Sequence, residues 1–570
     1  MADTSIIKLK YMDTEPGPVP ANTKTLLQGW EYEATEPLLD GPVSRRVAVI
    51  DLDPATGAVM PGAKFIAPKN QAPGRYHIAN ELDPDATDFK QVSVFTAVVR
   101  MMSIFEAPDV LGRKLRWAFD GEQLLVVPRA GKMPNAFYHR DSRSLQFFFI
   151  DDPKAPGKLI HTCLSPDIVA HEATHAILDG IAPDLYDATS PQSLAMHEAI
   201  ADLGAVMLAV RTQRLLARVM NATGGDIGKS EEFNSIARQF GEAVYGEDGR
   251  PLRDLSNDAS MDNPGNLDLN EPHDLSTVLT GALYALLVRE YKTIQEEDFQ
   301  KALRKESAEL GRSLTLIEQQ KLRFSISGLA LFKATEKFKR IAFRALDYLP
   351  PGEISFADFG RAMVAADTYS NPEDPEPRAF IKAEFALRGM VEHVTSLDPI
   401  APEFDLPADL DLAQLVNSDW AAYQFAEKWR AKLLIPPNVP FAVRPRLDVS
   451  RKTWRKGGEK VMTRAVLFKV AWQVPQIFRY GDNVEEVAVA RGTMLAIDWE
   501  TRQVSTMLST SPDHPSQKDS STLRNDAMRE RFLTANLAEG LLEPGSPNVQ
   551  VQNGVLRVRA MGQMLHMMGH

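Results

Sequence analysis

Five consecutive residues, His171-Glu172-Ala173-Thr174-His175, carry the clearest chemistry in this chain of 570 residues. Two histidines four positions apart share one face of a helix, so both imidazoles can point at a single ion. The same letters also fit two unrelated helix-face histidines around an ordinary glutamate, so the pattern needs partners. A catalytic zinc takes three protein ligands and keeps a fourth position open. A second run of helical periodicity, Met196-His197-Glu198-Ala199-Ile200-Ala201-Asp202, offers them. Glu198 supplies a carboxylate, and Asp202, one turn further on, can accept the rear N–H of a zinc-bound histidine. His197 is the rival ligand, but it lies about 100° around the helix from Glu198. The expected metal set is therefore His171, His175 and Glu198. A zinc ion there would lower the pKa of a water and polarise a carbonyl. Glu172, between the histidines, would take that water's proton as general base and pass it to a leaving amine.

These ligands must ride on helices, and the flanking residues favour that. Ser165 is a good N-cap, Pro166 a good first residue and Asp167 a favourable first-turn charge. Gly180 can close the helix as a left-handed cap. Apolar spacing is helical from 165 to about 395. Residues 46–150 look mainly stranded, with short apolar runs at 45–53, 124–128 and LQFFFI (145–150). Residues 1–45 are punctuated by Pro and Gly and read as irregular. The Pro- and Asp-rich stretch 398–411 reads as a linker. Beyond it come a helix over 411–434, strand-like runs at 462–474 and 485–498, a helix near 521–542 and a last strand at 554–560. The organisation predicted is an irregular segment 1–45, a β-rich lobe 46–164, a helical lobe 165–395, a linker 396–411 and an additional α+β domain 412–570.

Beyond the two metal stretches, several pieces resemble the thermolysin-like zinc peptidases, in that family's order, over about 45–393. DIVAHEATHA is similar to the family's metal helix. The resemblance implies an α+β catalytic domain of two lobes, β-rich then helical, with the zinc cleft between. It also implies site roles. Tyr186, eleven residues after His175, matches the family's active-site tyrosine. PNAFYHRDSRSLQFFF (134–149) resembles the edge-strand motif and carries over Asn135 and Ala136 as substrate-backbone contacts. LRDLSN (252–257) resembles the stretch with the substrate-carbonyl arginine, here Arg253. Leu252 and Ile168 would line the pocket for the residue after the scissile bond. EPHDLSTVLTGALYAL (271–286) resembles the segment with the second histidine, here His273, which Asp268 would orient. His273 and Tyr186 would stabilise the oxyanion. The LQFFFI strand could pair with an extended peptide. Three departures stand out. The spacing from His175 to Glu198 is longer than usual, His197 stands where the family often has Asn, and Ala209 replaces an expected calcium-binding glutamate. Zinc is thus the expected cofactor and calcium is doubtful.

Composition bounds the rest. A formal net charge of −12 argues against nucleic acid as a partner. The basic stretch RKTWRKGGEK (451–460) reads as a solvated hairpin turn. No run of some 18 apolar residues predicts a membrane span. The N-terminus shows no basic segment followed by an apolar one, so a cytoplasmic location is expected. Cys163 is the only cysteine, which precludes an internal disulfide. NATGGDIGKS (221–230) lacks the first glycine of a phosphate loop. MGQMLHMMGH (561–570) reads as a hydrophobic tail docked on the body or on a partner. The expected activity is a zinc endopeptidase cutting before a hydrophobic residue. Its partners are a peptide or protein substrate, with room for a protein partner at the C-terminal domain. The alternatives are a zinc aminopeptidase, for which no Gly-Ala-Met-Glu-Asn-type motif is present, and a catalytically silent peptide-binding module.

Overall fold

Alternating apolar residues at Ile7, Leu9 and Tyr11 build a strand where the Pro and Gly punctuation predicts an irregular segment. In the computed structural model, β1 (Ser5–Met12) pairs antiparallel with β2 (Leu27–Ala34), burying Ile7 and Leu9. The structure describes residues 5–14, 23–229, 235–236, 253–400, 406–407, 409–454, 459–480, 483–542 and 549–562. Its architecture is mixed α+β.

The region 46–150 corrects the sequence reading in a second way. It contains a long helix, α1 (Thr87–Phe105), among the strands. Its Val-rich sequence lowers helix propensity, and nearly every residue in it is buried. It is buried all round because it runs through the core, so it offers no amphipathic signal. A four-stranded sheet lies nearby: β3 (Val47–Val49), β4 (Leu124–Val127), β5 (Ala136–His139) and β6 (Ser144–Phe147). Its order is β3-β4-β6-β5, so β5 forms an edge. The first three neighbours are parallel, and β5 runs antiparallel to β6. The apolar run LQFFFI is therefore divided. Its first half is the interior strand β6, and its second is β7 (Phe149–Asp151), which pairs with β8 (Leu159–His161). The strand whose edge could receive a peptide is β5.

Two helices carry the metal motif residues, α2 (Pro166–Ile181) and α3 (Pro191–Val210). The Ser165 hydroxyl caps α2 by accepting the Ile168 N–H, and Pro166 occupies the first turn. Gly180 does not end α2 as predicted; Ala182 does. A Cβ at Gly180 would fall 2.0 Å from the Arg116 carbonyl oxygen, so the glycine serves a close backbone approach. Gly204 does the same between the helices, where a Cβ would meet the Thr174 hydroxyl at 2.1 Å. That absent side chain brings α3 against α2. By length and composition α3 could cross a membrane, yet here it is wholly buried in protein.

A short antiparallel pair, β9 (Ser235–Ile236) and β10 (Arg253–Asp254), follows. Next come α4 (Pro272–Leu310), α5 (Leu316–Ala342) and α6 (Phe356–Ser370). The turn between α4 and α5 has Gly311 in the left-handed region and a capping box of Thr315 with Glu318.

In the C-terminal part, the helix predicted over 411–434 is two short ones, α7 (Leu412–Asn417) and α8 (Asp419–Lys428). Ser418 breaks them, turning its side chain to cap α8. A seven-stranded sheet comprises β11 (Phe441–Val443), β12 (Leu447–Trp454), β13 (Lys460–Tyr480), β14 (Asn483–Asp498), β15 (Val504–Ser509), β16 (Val549–Gln552) and β17 (Val555–Val558). Its spine is the long hairpin β13–β14, and β17 joins β14 in parallel. Helix α9 (Ser520–Ala538) packs on α3. One face of β13 (Val466, Phe468, Val470, Trp472) forms a local core with α7 and α8. The other contributes Ala465 and Leu467 to the same core as α1, α2 and α3. Buried charge pairs reinforce that union. Arg529 of α9 donates to Glu353 at 2.8 Å, and Glu353 in turn accepts the Thr189 N–H just before α3.

Candidate metal centre

Helical spacing alone aims His171 and His175 the same way, and their Nε2 atoms lie 2.9 Å apart. Across the α2–α3 contact, the two Glu198 oxygens stand 3.4 Å from His171 Nε2 and 3.6 Å from His175 Nε2. Ligands at zinc bond lengths of about 2.0–2.1 Å in a tetrahedron sit roughly 3.3 Å from each other. The three separations thus fit one zinc-sized ion, and two imidazoles with a carboxylate are a donor set zinc accepts. All three side chains are buried.

Glu172 also approaches both histidines, with a carboxylate oxygen within 4.8 Å of their ligand atoms. Proximity alone does not separate it from Glu198. What does is its other engagement: Glu172 Oε2 accepts the Tyr138 N–H of the edge strand at 2.9 Å. It is tethered to the strand side of the site, whereas Glu198 faces the histidines from α3. Glu198 thus stands on the histidine side, while one Glu172 oxygen is taken up by the strand.

Each imidazole is held from behind. Asp202 Oδ1 lies 2.9 Å from His171 Nδ1, one helical turn beyond Glu198. His175 Nδ1 lies 2.6 Å from His197 Nδ1, with the rings stacked at 4.8 Å. The sequence reading considers His197 only as a rival ligand turned away from Glu198. The structure turns it onto the rear nitrogen of His175 instead. With His175 Nε2 kept for a metal, its Nδ1 must carry the hydrogen, and His197 must accept it as the Nε2–H tautomer. His197→Leu is expected to weaken zinc binding by about 10–100-fold, the usual cost of losing such a support, while His197→Asn retains it. A competition titration against a zinc chelator measures this.

The second histidine is oriented by a different carboxylate than predicted. His273 Nδ1 lies 2.7 Å from Glu271 Oε1. Asp268 is exposed and accepts instead from the backbone and side chain of Asn270, at 2.9 and 3.1 Å. Glu271 also caps α4, accepting the Asp274 N–H at 2.7 Å ahead of Pro272. Burial would raise the Glu271 carboxyl, but its bonds to His273 and to the backbone hold it below the usual range. Pro272 at the helix start was the one local signal. The cap places His273 Nε2 3.6 Å from Glu198 Oε2, at the mouth of the site.

Tyr186 is in the site and almost fully buried, which pushes its hydroxyl well above the ordinary tyrosine value. Its hydroxyl donates to the Tyr138 carbonyl at 3.1 Å. Asn135 and Ala136 lie at the start of the edge strand, where Asn135 Oδ1 accepts the Ala136 N–H at 2.8 Å. Ile168 is buried in the first turn of α2, one helical turn before His171. Leu252 lies outside the described residues, as does the side chain of Arg253, whose backbone is in β10.

A buried network underlies Tyr138 and Tyr186 that the sequence reading did not single out. Asp179 accepts from Tyr138 Oη at 2.8 Å and from two Arg140 nitrogens at 2.8 and 2.5 Å. Arg140 continues to Asp187 at 2.8 Å and lies over the Tyr186 ring. Burial raises the Asp179 carboxyl, against the pull of Arg140. Arg140→Met strands that buried carboxylate and is expected to cost about 3–5 kcal/mol in urea unfolding.

The space bounded by Tyr186, Leu194, His197, Glu198, Pro272, His273 and Gly562 is only about 10 Å³. Gly562, near the C-terminal end of the chain, donates its N–H to the Tyr186 carbonyl at 3.1 Å. No family model matches the chain, and no curated protein matches it.

Proposed function

We propose that this protein is a zinc-dependent endopeptidase with a thermolysin-like site. The observation that carries the reading is the convergence of His171 Nε2, His175 Nε2 and the Glu198 carboxylate at separations suited to one zinc ion. The bound ion would supply Lewis acidity and a water of lowered pKa. The remaining roles fall to the chain. Glu172, held beside the strand edge by the Tyr138 N–H, takes a proton from the attacking water and returns it to the departing amine. His273, braced by Glu271, donates through Nε2 to the developing oxyanion. That donation needs both ring nitrogens protonated, and the Glu271 carboxylate is the partner such a cation requires. Tyr186 joins only when its hydroxyl turns away from the Tyr138 carbonyl. Pairing of an extended peptide with the β5 edge requires Tyr186 to release the Tyr138 carbonyl and Asn135 to release the Ala136 N–H, and the buried Ile168 supports a preference for an apolar residue after the cut.

The test is cleavage of an internally quenched peptide blocked at both ends, with cut sites read by mass spectrometry. The reading predicts internal cleavage, lost with a zinc chelator and restored by zinc. Cleavage only of peptides with a free amino terminus would favour an aminopeptidase. Absence of cleavage by zinc-loaded protein, including the arm-displaced variant described below, would overturn the reading.

A further inference from the structure

A second cavity lies away from the metal centre. It has a volume of about 970 Å³ and is walled by the Arg113–Trp117 loop, the C-terminal end of α2, the turn Leu349–Gly352 and the β11–β13 region. Lys469 lines it from the face of β13 that otherwise presents Leu467 and Ala471. The residue is 7 % exposed, and no acceptor lies within hydrogen-bond or ion-pair reach of its ammonium among the described residues. The nearest carboxylates are already committed. Asp347 is bound by Arg113 at 2.6 Å and by Arg451. Asp184 is bound by Arg444 and by the Gly352 N–H at 3.0 Å. Four cations (Arg113, Arg444, Arg451, Lys469) therefore face two carboxylates. Burial pushes the Lys469 ammonium down to about 8, with Asp347 pulling it back up. Arg116, exposed at the rim, has no carboxylate partner among the described residues either.

An isolated buried cation is costly, and such groups are paired in folded proteins unless a ligand completes them. The cavity's size is that of a small-molecule site. We infer that this cavity binds a small molecule bearing an oxyanion, phosphate or carboxylate, whose charge is met by Lys469 with Arg116 at the entrance.

Thermal unfolding of the full chain tests this with inorganic phosphate and with succinate, against chloride at matched ionic strength. A saturable rise in Tm of roughly 2–4 °C is expected from at least one anion. Response to one and not the other identifies the oxyanion. Lys469→Met is expected to raise Tm without ligand, by removing the unpaired charge, and to abolish the response. Arg116→Ala, at an exposed position, weakens it. No saturable rise with either anion, or an undiminished response in Lys469→Met, overturns the assignment.

An independent observation concerns the C-terminal arm. After β17 the chain turns inward. The Ala560 N–H donates to Asp187 at 2.7 Å, and Met561 is buried beside Leu194, one helical turn before Glu198. A Cβ on Gly562 would lie 3.1 Å from the Tyr186 ring. Among the described residues, only about 10 Å³ is left between Gly562 and His273, room for about one water. The geometry points to an autoinhibitory arm: residues 560–562 close the cleft, and a partner or proteolysis must displace them for substrate to enter. The inhibitory role rests on the peptidase reading; the closure does not.

Acylation of His273 by diethyl pyrocarbonate, read by mass spectrometry, reports closure without needing zinc or catalysis. In Met561→Asp, a buried charge expels the arm, and His273 is expected to react at least about tenfold faster. Gly562→Trp, too large to sit on Tyr186, serves as the second variant. Unchanged reactivity in both overturns the arm. Faster acylation without any peptide cleavage by the zinc-loaded variant keeps the closure and sinks the peptidase reading.

Discussion

Glu172→Gln is expected to lower kcat for peptide cleavage by about 10²–10⁴, the range for losing a general base, while zinc remains bound. The amide keeps the shape but cannot take a proton. It can still accept the Tyr138 N–H through its oxygen, so the edge strand stays in place. Because Glu172 is not counted among the ligands, the metal content should match wild type. A Gln variant that loses zinc would instead place Glu172 in the metal set, and one that keeps full activity would remove it from the chemistry. The comparison is made in the Met561→Asp background if the wild type is slow.

His273→Phe carries the second large effect, a loss in kcat of about 10²–10³, as for other oxyanion donors. The ring shape survives and the donor does not. The informative companion is Glu271→Gln. It removes the negative charge behind His273, and its single amide oxygen keeps only one of the two bonds that the carboxylate oxygens accept, from His273 and from the Asp274 N–H. A loss smaller than that of His273→Phe, with KM little changed, is expected from a group acting through the histidine. Asp268→Asn should leave kcat near wild type, since that carboxylate faces Asn270 and solvent. A severe loss in Asp268→Asn together with an unaffected Glu271→Gln would reverse the assignment.

What the sequence reveals and what it hides divide along the range of the interactions. Helix α2 was legible because its signals are local: Ser165, Pro166 and Asp167 at its start and histidines four apart. The partnership of Asp202 with His171 was legible for a similar reason, since Asp202 sits one turn from Glu198 on the same helix. His197 was not, because its role depends on where α3 crosses α2, and that crossing is set by Gly204 against Thr174. Glu271 was not legible, because the resemblance points to Asp268 and glutamate is not a usual N-cap; only Pro272 marks the helix start locally. Helix α1 escaped because a helix buried on all sides has no amphipathic period, and its valines read as strand. The union of the C-terminal sheet with the core could not be read at all. It rests on contacts such as Arg529 with Glu353, 176 positions apart, which leave no periodic trace.

Whether His171, His175 and Glu198 hold one zinc ion is read most directly from zinc stoichiometry by elemental mass spectrometry. Wild-type protein dialysed against a weak chelator should retain about one zinc per chain, and folded Glu198→Ala should lose it under the same dialysis. Zinc-free wild type, or full zinc retained in Glu198→Ala, would contradict the account.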